Sequence, residues 1–205
     1  GILHSPEGRK RLLAAGIPVV ETWDYTPTPM DMLVGFSHEA VGQAVVAFLV
    51  AKGRTRLAVV AGDDERSHRR HTAFQVAAQA AGLPPVTIVT VPAPTTMKSG
   101  RRALVDLLAG GADLDAVFCS SDLLALGVVT EAQARGLAVP RQLAVVGFGD
   151  LAFAADLHPA LTTVHIDAEA IGRTAAQCLV DRIEGRPVAH PVVDIGFSII
   201  ERDST

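Results

Sequence analysis

The architecture of this chain follows from two segments, Val117-Phe-Cys-Ser-Ser-Asp-Leu-Leu-Ala-Leu-Gly127 and Leu143-Ala-Val-Val-Gly-Phe-Gly-Asp150. Each is a short apolar run that ends abruptly in small polar residues or glycine, and the first continues into a helical pattern rich in alanine and leucine. Such a pattern is typical of a parallel strand whose carboxyl end opens onto a cleft, where open α/β sheets bind their ligands. The two segments therefore predict a small-molecule site.

The rest of the chain alternates between strand and helix. Strand-like runs begin near Leu57, Val86, Asp115 and Leu143, one every 28 to 29 residues. This spacing corresponds to one strand and one helix per period, which indicates a parallel α/β array. Helices are predicted over 37–52, 70–81, 99–109, 122–135 and 169–184, with a final extended run over 192–200.

Composition narrows the class of protein. Of the 205 residues, 49% are hydrophobic but only 4% aromatic, as expected for parallel strands covered by helices. A net charge of −4 argues against a domain that grips nucleic acid by itself. Cys119 and Cys178 lie in apolar contexts, so we expect buried thiols, no disulfide and a reducing, cytoplasmic compartment. We expect no membrane contact, because no apolar run is long enough to span a bilayer.

Candidate binding residues follow the predicted strands. Ser121 either faces the cleft or caps the next helix. Asp122 is the other candidate for this cap. Gly149 allows close backbone approach, while Asp150 either binds sugar hydroxyls or caps a short helix. Arg70 either projects into the cleft, where it would bind a carboxylate or paired hydroxyls, or is a surface arginine.

The segment Glu21-Thr-Trp-Asp24 ends another apolar run. Trp23 either stacks on a sugar ring or belongs to the core, and Glu21 and Asp24 are candidate hydroxyl acceptors. We find no motif of nucleophilic or metal-dependent catalysis, so we expect a binding protein with neither a cofactor nor a metal, and not an enzyme.

Taken in order, these segments resemble the effector-binding core of the lactose/galactose-repressor (LacI/GalR) family, and more specifically its gluconate-operon repressor branch. The resemblance spans almost the whole chain. It rests on Ile17-Pro-Val-Val20, Val34-Gly-Phe36, Lys52 to Gly62, Arg70-His-Thr-Ala-Phe74, Ser121-Asp-Leu-Leu-Ala-Leu-Gly127, Val145-Val-Gly-Phe148, Leu161-Thr-Thr-Val164 and Glu201-Arg-Asp-Ser-Thr205.

The resemblance implies a two-lobed, periplasmic-binding-protein-like clamp with parallel sheets flanked by helices. Residues 1–36 and 167–187 would form an incomplete N-terminal lobe, and 37–166 and 188–205 the C-terminal lobe. The chain would cross between lobes near Phe36, Ile166 and Pro187. Gly1-Ile-Leu3 resembles the end of a strand whose start is missing, so the first lobe's beginning and the DNA-binding head are expected to lie outside this chain.

The resemblance also implies a function. The family's effector arginine corresponds to Arg70. Two positions depart from the family, since its cleft asparagine corresponds to Ser121 and its cleft aspartate to Gly149. These departures leave a sugar acid open as the effector. The chain would be the effector-binding and dimerisation core of a repressor, and operator DNA would be bound through the missing N-terminal head. The alternative is an extracytoplasmic sugar-binding protein of a transporter, which shares the fold.

Overall fold

The computed structural model describes residues 5–205, so the strand end predicted at Gly1-Ile-Leu3 lies outside the described residues. The chain divides into two compact units, which comprise Gly1–Ser37 with Ile166–Phe197, and His38–His165 with Ser198–Thr205. In chain order the elements are α1 (Pro6–Ala14), β1 (Val20–Thr22), β2 (Met32–Gly35), α2 (His38–Ala51), β3 (Leu57–Gly62), α3 (Glu65–Ala80), β4 (Thr87–Val91), α4 (Met97–Ala109), β5 (Ala116–Cys119), α5 (Asp122–Ala134), β6 (Ala144–Phe148), a 3₁₀ turn (Ala152–Asp156), β7 (Thr162–His165), α6 (Ala168–Ile183), β8 (Val192–Asp194) and β9 (Ser198–Ile200).

The first unit holds a small parallel sheet in the order β1-β2-β8. The second holds six strands in the order β4-β3-β5-β6-β7-β9, all parallel except β9, which runs antiparallel to β7. Every residue of β3 and β5 is buried, because helices cover a parallel sheet on both faces. The predicted α/β class is thereby confirmed. Within residues 5–205, no helix has the length and apolarity needed to cross a bilayer.

Two predicted elements differ from the structure. Helix α3 begins at Glu65 and not at Arg70, because the Asp64 carboxylate caps it by accepting hydrogen bonds from the backbone N–H and hydroxyl of Ser67. Most of the charged stretch Asp63-Asp-Glu-Arg-Ser-His-Arg-Arg-His71 is therefore helix. The extended run 192–200 is two strands, since β8 pairs with β2 while β9 pairs with β7.

The same pairing corrects the division of the chain. The resemblance places residues 188–197 in the second lobe, but β8 is hydrogen-bonded to β2, so this segment belongs to the first unit. The last passage of the chain between units therefore falls between Phe197 and Ser198 and not near Pro187. The other passages fall after Ser37 and after His165, within one residue of the predicted positions.

Candidate ligand-binding site

The carboxyl ends of four neighbouring parallel strands, β3, β5, β6 and β7, form one edge of the larger sheet. Ser121 is the second residue after β5. Gly149 and Asp150 are the first two residues after β6. Arg70 lies in the second turn of α3, the helix that follows β3. This edge of one unit thus gathers the residues predicted after those strands, and it is the position at which open α/β sheets bind ligands.

Arg70 is buried, with 4% of its surface exposed, which rules out the surface-arginine alternative. Its Nη1 atom is 3.0 Å from His38 Nδ1, and its Nη2 atom donates to Ser67 Oγ (3.1 Å) and to the Ser120 carbonyl (3.3 Å). The guanidinium carbon is 4.1 Å from the centroid of the Phe148 ring, which is cation–π distance. These contacts fix the orientation of a desolvated cation at the strand ends.

Ser121 caps α5, since its hydroxyl oxygen accepts a hydrogen bond from the Leu124 N–H at 3.3 Å. The same oxygen lies 3.1 Å from Thr95 Oγ1, so the cap and a polar neighbour both orient the hydroxyl. Because a hydroxyl both donates and accepts, this arrangement is compatible with a further hydrogen bond to a ligand.

Asp122 is fully buried and joins three elements. Its Oδ1 atom accepts a 2.6 Å hydrogen bond from Thr163 Oγ1 in β7, and its Oδ2 atom accepts one of 2.7 Å from the Leu151 N–H. Burial raises the pKa of this carboxyl, and the two hydrogen bonds oppose that rise. Asp122 therefore ties the start of α5 to β7 and to the loop after β6, a role beyond the capping that the sequence indicates.

The loop after β6 has an unusual backbone. Gly149 has a φ of 126° and Asp150 a φ of 49°, a region that residues with side chains seldom occupy. The Asp150 carboxylate accepts from Arg202 Nη2 at 2.7 Å and lies 3.0 Å from His165 Nδ1. Asp150 thus pairs with Arg202 and His165. The sequence indicates neither contact, since it suggests only that Asp150 binds sugar hydroxyls or caps a short helix.

The first unit carries the remaining candidates around the ends of β1 and β2. Glu21, 3% exposed, accepts from the Met30 N–H through Oε2 at 2.8 Å, and Asp24, fully buried, accepts from the Tyr25 N–H through Oδ1 at 2.9 Å. Trp23 has a φ of 63°, is 36% exposed and meets Phe36 edge-on at 6.2 Å. Trp23 is therefore partly in contact with the core and partly accessible.

Comparison with known proteins places this arrangement in a family. The family model of the periplasmic binding protein-like domain matches residues 46–205. The chain is 38% identical to the HTH-type transcriptional regulator GntR of Pseudomonas aeruginosa, covering 100% of this chain and 60% of that protein, and 31% identical to GntR of Escherichia coli K12, covering 96% and 59%. Among solved structures, the transcription regulator GntR from Chromobacterium violaceum superposes with a TM-score of 0.94 at 34% identity (100% of this chain, 76% of that one), and a LacI family transcriptional regulator from Silicibacter pomeroyi with 0.90 at 28% (99% and 75%).

The chain belongs to the LacI/GalR family. It carries the family's periplasmic-binding-protein-like domain, and it spans about three fifths of the length of the curated relatives it matches. Those relatives are transcriptional regulators and not enzymes, in agreement with the expectation from the sequence.

Sequence reasoning missed several residues of this candidate site. Arg202, His165 and Thr163 all contact Asp150 or Asp122, yet Arg202 lies 52 positions from Asp150 along the chain. Arg202 lies in the C-terminal motif Glu201-Arg-Asp-Ser-Thr205, but no local pattern indicates its partner. Within residues 5–205, no group of three or more histidine, cysteine or acidic residues has the geometry to hold a metal ion.

Proposed function

We propose that this chain is the effector-binding and dimerisation core of a bacterial transcriptional repressor, and that its effector is a sugar acid such as gluconate. Support for the regulator comes from the match to GntR proteins along the whole chain. On this proposal the repressor acts in the cytoplasm as a homodimer, and operator DNA is bound by an N-terminal helix-turn-helix head outside these 205 residues. The effector controls DNA binding by having different affinities for two states of the protein.

The observation that carries the choice of an acid is the buried guanidinium of Arg70 at the strand ends. Arginine binds a carboxylate through two parallel hydrogen bonds, and a planar group already oriented by Ser67, the Ser120 carbonyl and the Phe148 ring loses little entropy on doing so. Gly149, at the position where the family's aspartate is expected, has no side-chain carboxylate of its own, and this removes one negative charge that would repel an anionic ligand.

The hydroxyl groups of the effector are assigned to the polar residues at the strand ends of the larger unit. These are Ser121, the Gly149 backbone and Asp150.

The test is a thermal-shift and calorimetric titration of this chain with gluconate, other aldonic and uronic acids, and neutral sugars. Ligand at about a hundred times its dissociation constant should stabilise the protein by about 2.7 kcal/mol. A shift with a sugar acid and none with the matching neutral sugar is the expected result. A response to neutral sugars alone would overturn the choice of an acid.

The matched variants are Arg70→Ala and Arg102→Ala. Arg102 is an exposed arginine of α4 that pairs with Asp106 in the same unit, so its removal controls for the loss of one positive charge. Arg70→Ala should abolish the response to the acid while Arg102→Ala keeps it. Unchanged affinity in a folded Arg70→Ala protein would contradict the assignment of the carboxylate to Arg70.

A further inference from the structure

Asp150 contacts two segments of the larger unit. One is β7, after which the chain leaves this unit, and the other is the segment that follows β9, the strand at which the chain returns. His165, at 3.0 Å from Asp150 Oδ2, is the last residue of the unit before the chain passes on to Ile166. Ser198 is the first residue on the return, and it is paired with His165 in the antiparallel ladder. The two passages therefore lie side by side, and Asp150 contacts one of them directly.

Arg202 completes this arrangement from the returning segment. Its Nη2 atom donates to Asp150 Oδ1 at 2.7 Å, its Nη1 atom donates to the Leu161 carbonyl at 2.8 Å, and its backbone N–H donates to Thr162 Oγ1 at 2.9 Å. The side chains of Asp150 and Arg202 are only 18% and 19% exposed, so water weakens this ion pair less than it weakens a surface pair. Arg202 thus fastens the loop after β6 to the start of β7 and to the C-terminal segment.

The same loop is held in its backbone conformation from β7. The Gly149 N–H donates to the Val164 carbonyl at 2.9 Å, and the Asp150 N–H donates to Thr163 Oγ1 at 3.3 Å. A positive φ at a non-glycine residue persists only where surrounding contacts maintain it, and for Asp150 these include the bonds from β7 and Arg202, beside the bond from the Leu151 N–H to Asp122.

We infer that Asp150, His165 and Arg202 form a coupling cluster, in which Arg202 is a positioning residue that holds the effector loop 149–151 and links its position to the paired passages at 165–166 and 197–198. This inference rests on the proposed function, because it takes loop 149–151 to contact the effector. An effector that moves the Asp150 carboxylate alters its bonds to both segments at once. Since β7 and β9 are hydrogen-bonded to each other, the two passages respond together.

The test compares Arg202→Gln with Arg202→Lys, and uses Arg102→Gln as the control for an exposed arginine of the same unit. Calorimetry gives the affinity for gluconate, and hydrogen exchange with mass spectrometry follows peptides that cover 149–151, 163–168 and 195–200. In the wild-type protein, gluconate should slow exchange in all three. Arg202→Gln should weaken binding about tenfold, equivalent to about 1.4 kcal/mol, and should remove the ligand-induced change at 163–168 and 195–200.

Arg202→Lys keeps one charged donor and should restore part of both effects, while Arg102→Gln should behave as wild type. A folded Arg202→Gln protein that binds gluconate with wild-type affinity and shows the same exchange changes would overturn the inference. A purely structural role would lower the melting temperature but leave the ligand-induced exchange pattern intact, which also contradicts coupling.

A failure of the proposed function can be distinguished from a failure of the coupling inference. If the wild-type chain binds no sugar acid, the proposed function fails. Hydrogen exchange of the ligand-free variants then still tests whether Asp150 is coupled to the two passages. Asp150→Asn should then speed exchange at 163–168 and 195–200 but not across β3, and Arg202→Gln should add little to it because both changes remove the same ion pair. Exchange that changes only in the loop itself would overturn the inference.

Discussion

Thr163 Oγ1 donates a 2.6 Å hydrogen bond to Asp122 Oδ1 and at the same time accepts one from the Asp150 N–H at 3.3 Å. A single hydroxyl therefore connects a fully buried carboxylate to the loop that carries the candidate ligand residues. Because Thr163 is itself fully buried, water cannot replace its hydroxyl without a rearrangement of the sheet edge.

Replacement of Thr163 by valine should lower the free energy of unfolding by about 2 kcal/mol, because it leaves Asp122 Oδ1 without its short hydrogen bond in a buried position. Urea unfolding at neutral pH measures this change. Thr163→Ser keeps the hydroxyl and should cost less. Thr130→Val is the control, since the Thr130 hydroxyl donates to the Leu126 carbonyl within α5. Equal losses in the two valine variants would contradict the special role of the Thr163 hydroxyl.

Gly42→Ala should destabilise the protein and weaken effector binding together. A Cβ on Gly42 would overlap the Arg70 carbonyl oxygen and come within 2.9 Å of the Phe74 N–H, so α2 would push away the helix that carries Arg70. We expect a loss of about 1–3 kcal/mol in unfolding free energy, measured by urea unfolding, and a lower gluconate affinity by calorimetry. Gly172→Ala in α6, where a Cβ meets open space, should instead stabilise by about 0.5–1 kcal/mol. A neutral Gly42→Ala would contradict the close approach of α2 and α3.

His71 should make stability depend on pH. Burial, helped by His68 and Arg70, lowers the pKa of His71, so the folded protein holds this ring neutral at pH values where the unfolded chain protonates it. Below about pH 6.5, the usual histidine pKa, the unfolded state gains the proton first, and stability falls with pH until the folded pKa is reached. Melting temperatures between pH 7.5 and 5 should therefore drop less steeply in His71→Gln than in wild type.

His190→Gln, at an exposed position, controls for the loss of one imidazole ring in that experiment. Identical slopes in wild type and His71→Gln would show that this ring does not contribute to the acid sensitivity.

Both cysteines should resist thiol reagents in the folded protein. Cys119 is fully buried and Cys178 is 7% exposed, and burial raises the pKa of each thiol. The reactive thiolate is therefore scarce as well as shielded. Ellman's reagent should titrate both thiols rapidly in urea and only slowly without it. Rapid reaction of one thiol in the folded protein would contradict its burial.

Local patterns predicted much of this fold. The alternation of apolar strands with helices gave the α/β class, and α2, α4, α5 and α6 begin and end within two residues of their predicted limits. Such features depend on neighbouring residues, on glycines such as Gly53 that adopt a positive φ beyond a helix, and on the apolar periodicity of each segment. The sequence also predicted where the strands end, because the change from apolar to polar residues at the end of a buried strand is a local pattern. It did not mark the start of α3, where a charged segment is capped by Asp64.

The arrangement of partners was decided by tertiary structure alone. The run 192–200 has the same extended pattern throughout, yet its two halves join different sheets because β2 and β7 offer open edges to each. Asp150 meets Arg202 and Asp122 meets Thr163 only once β6 and β7 lie side by side and the C-terminal segment pairs with them. A hydrogen bond between residues 41 or 52 positions apart depends on strand order and register, which no local pattern of residues encodes.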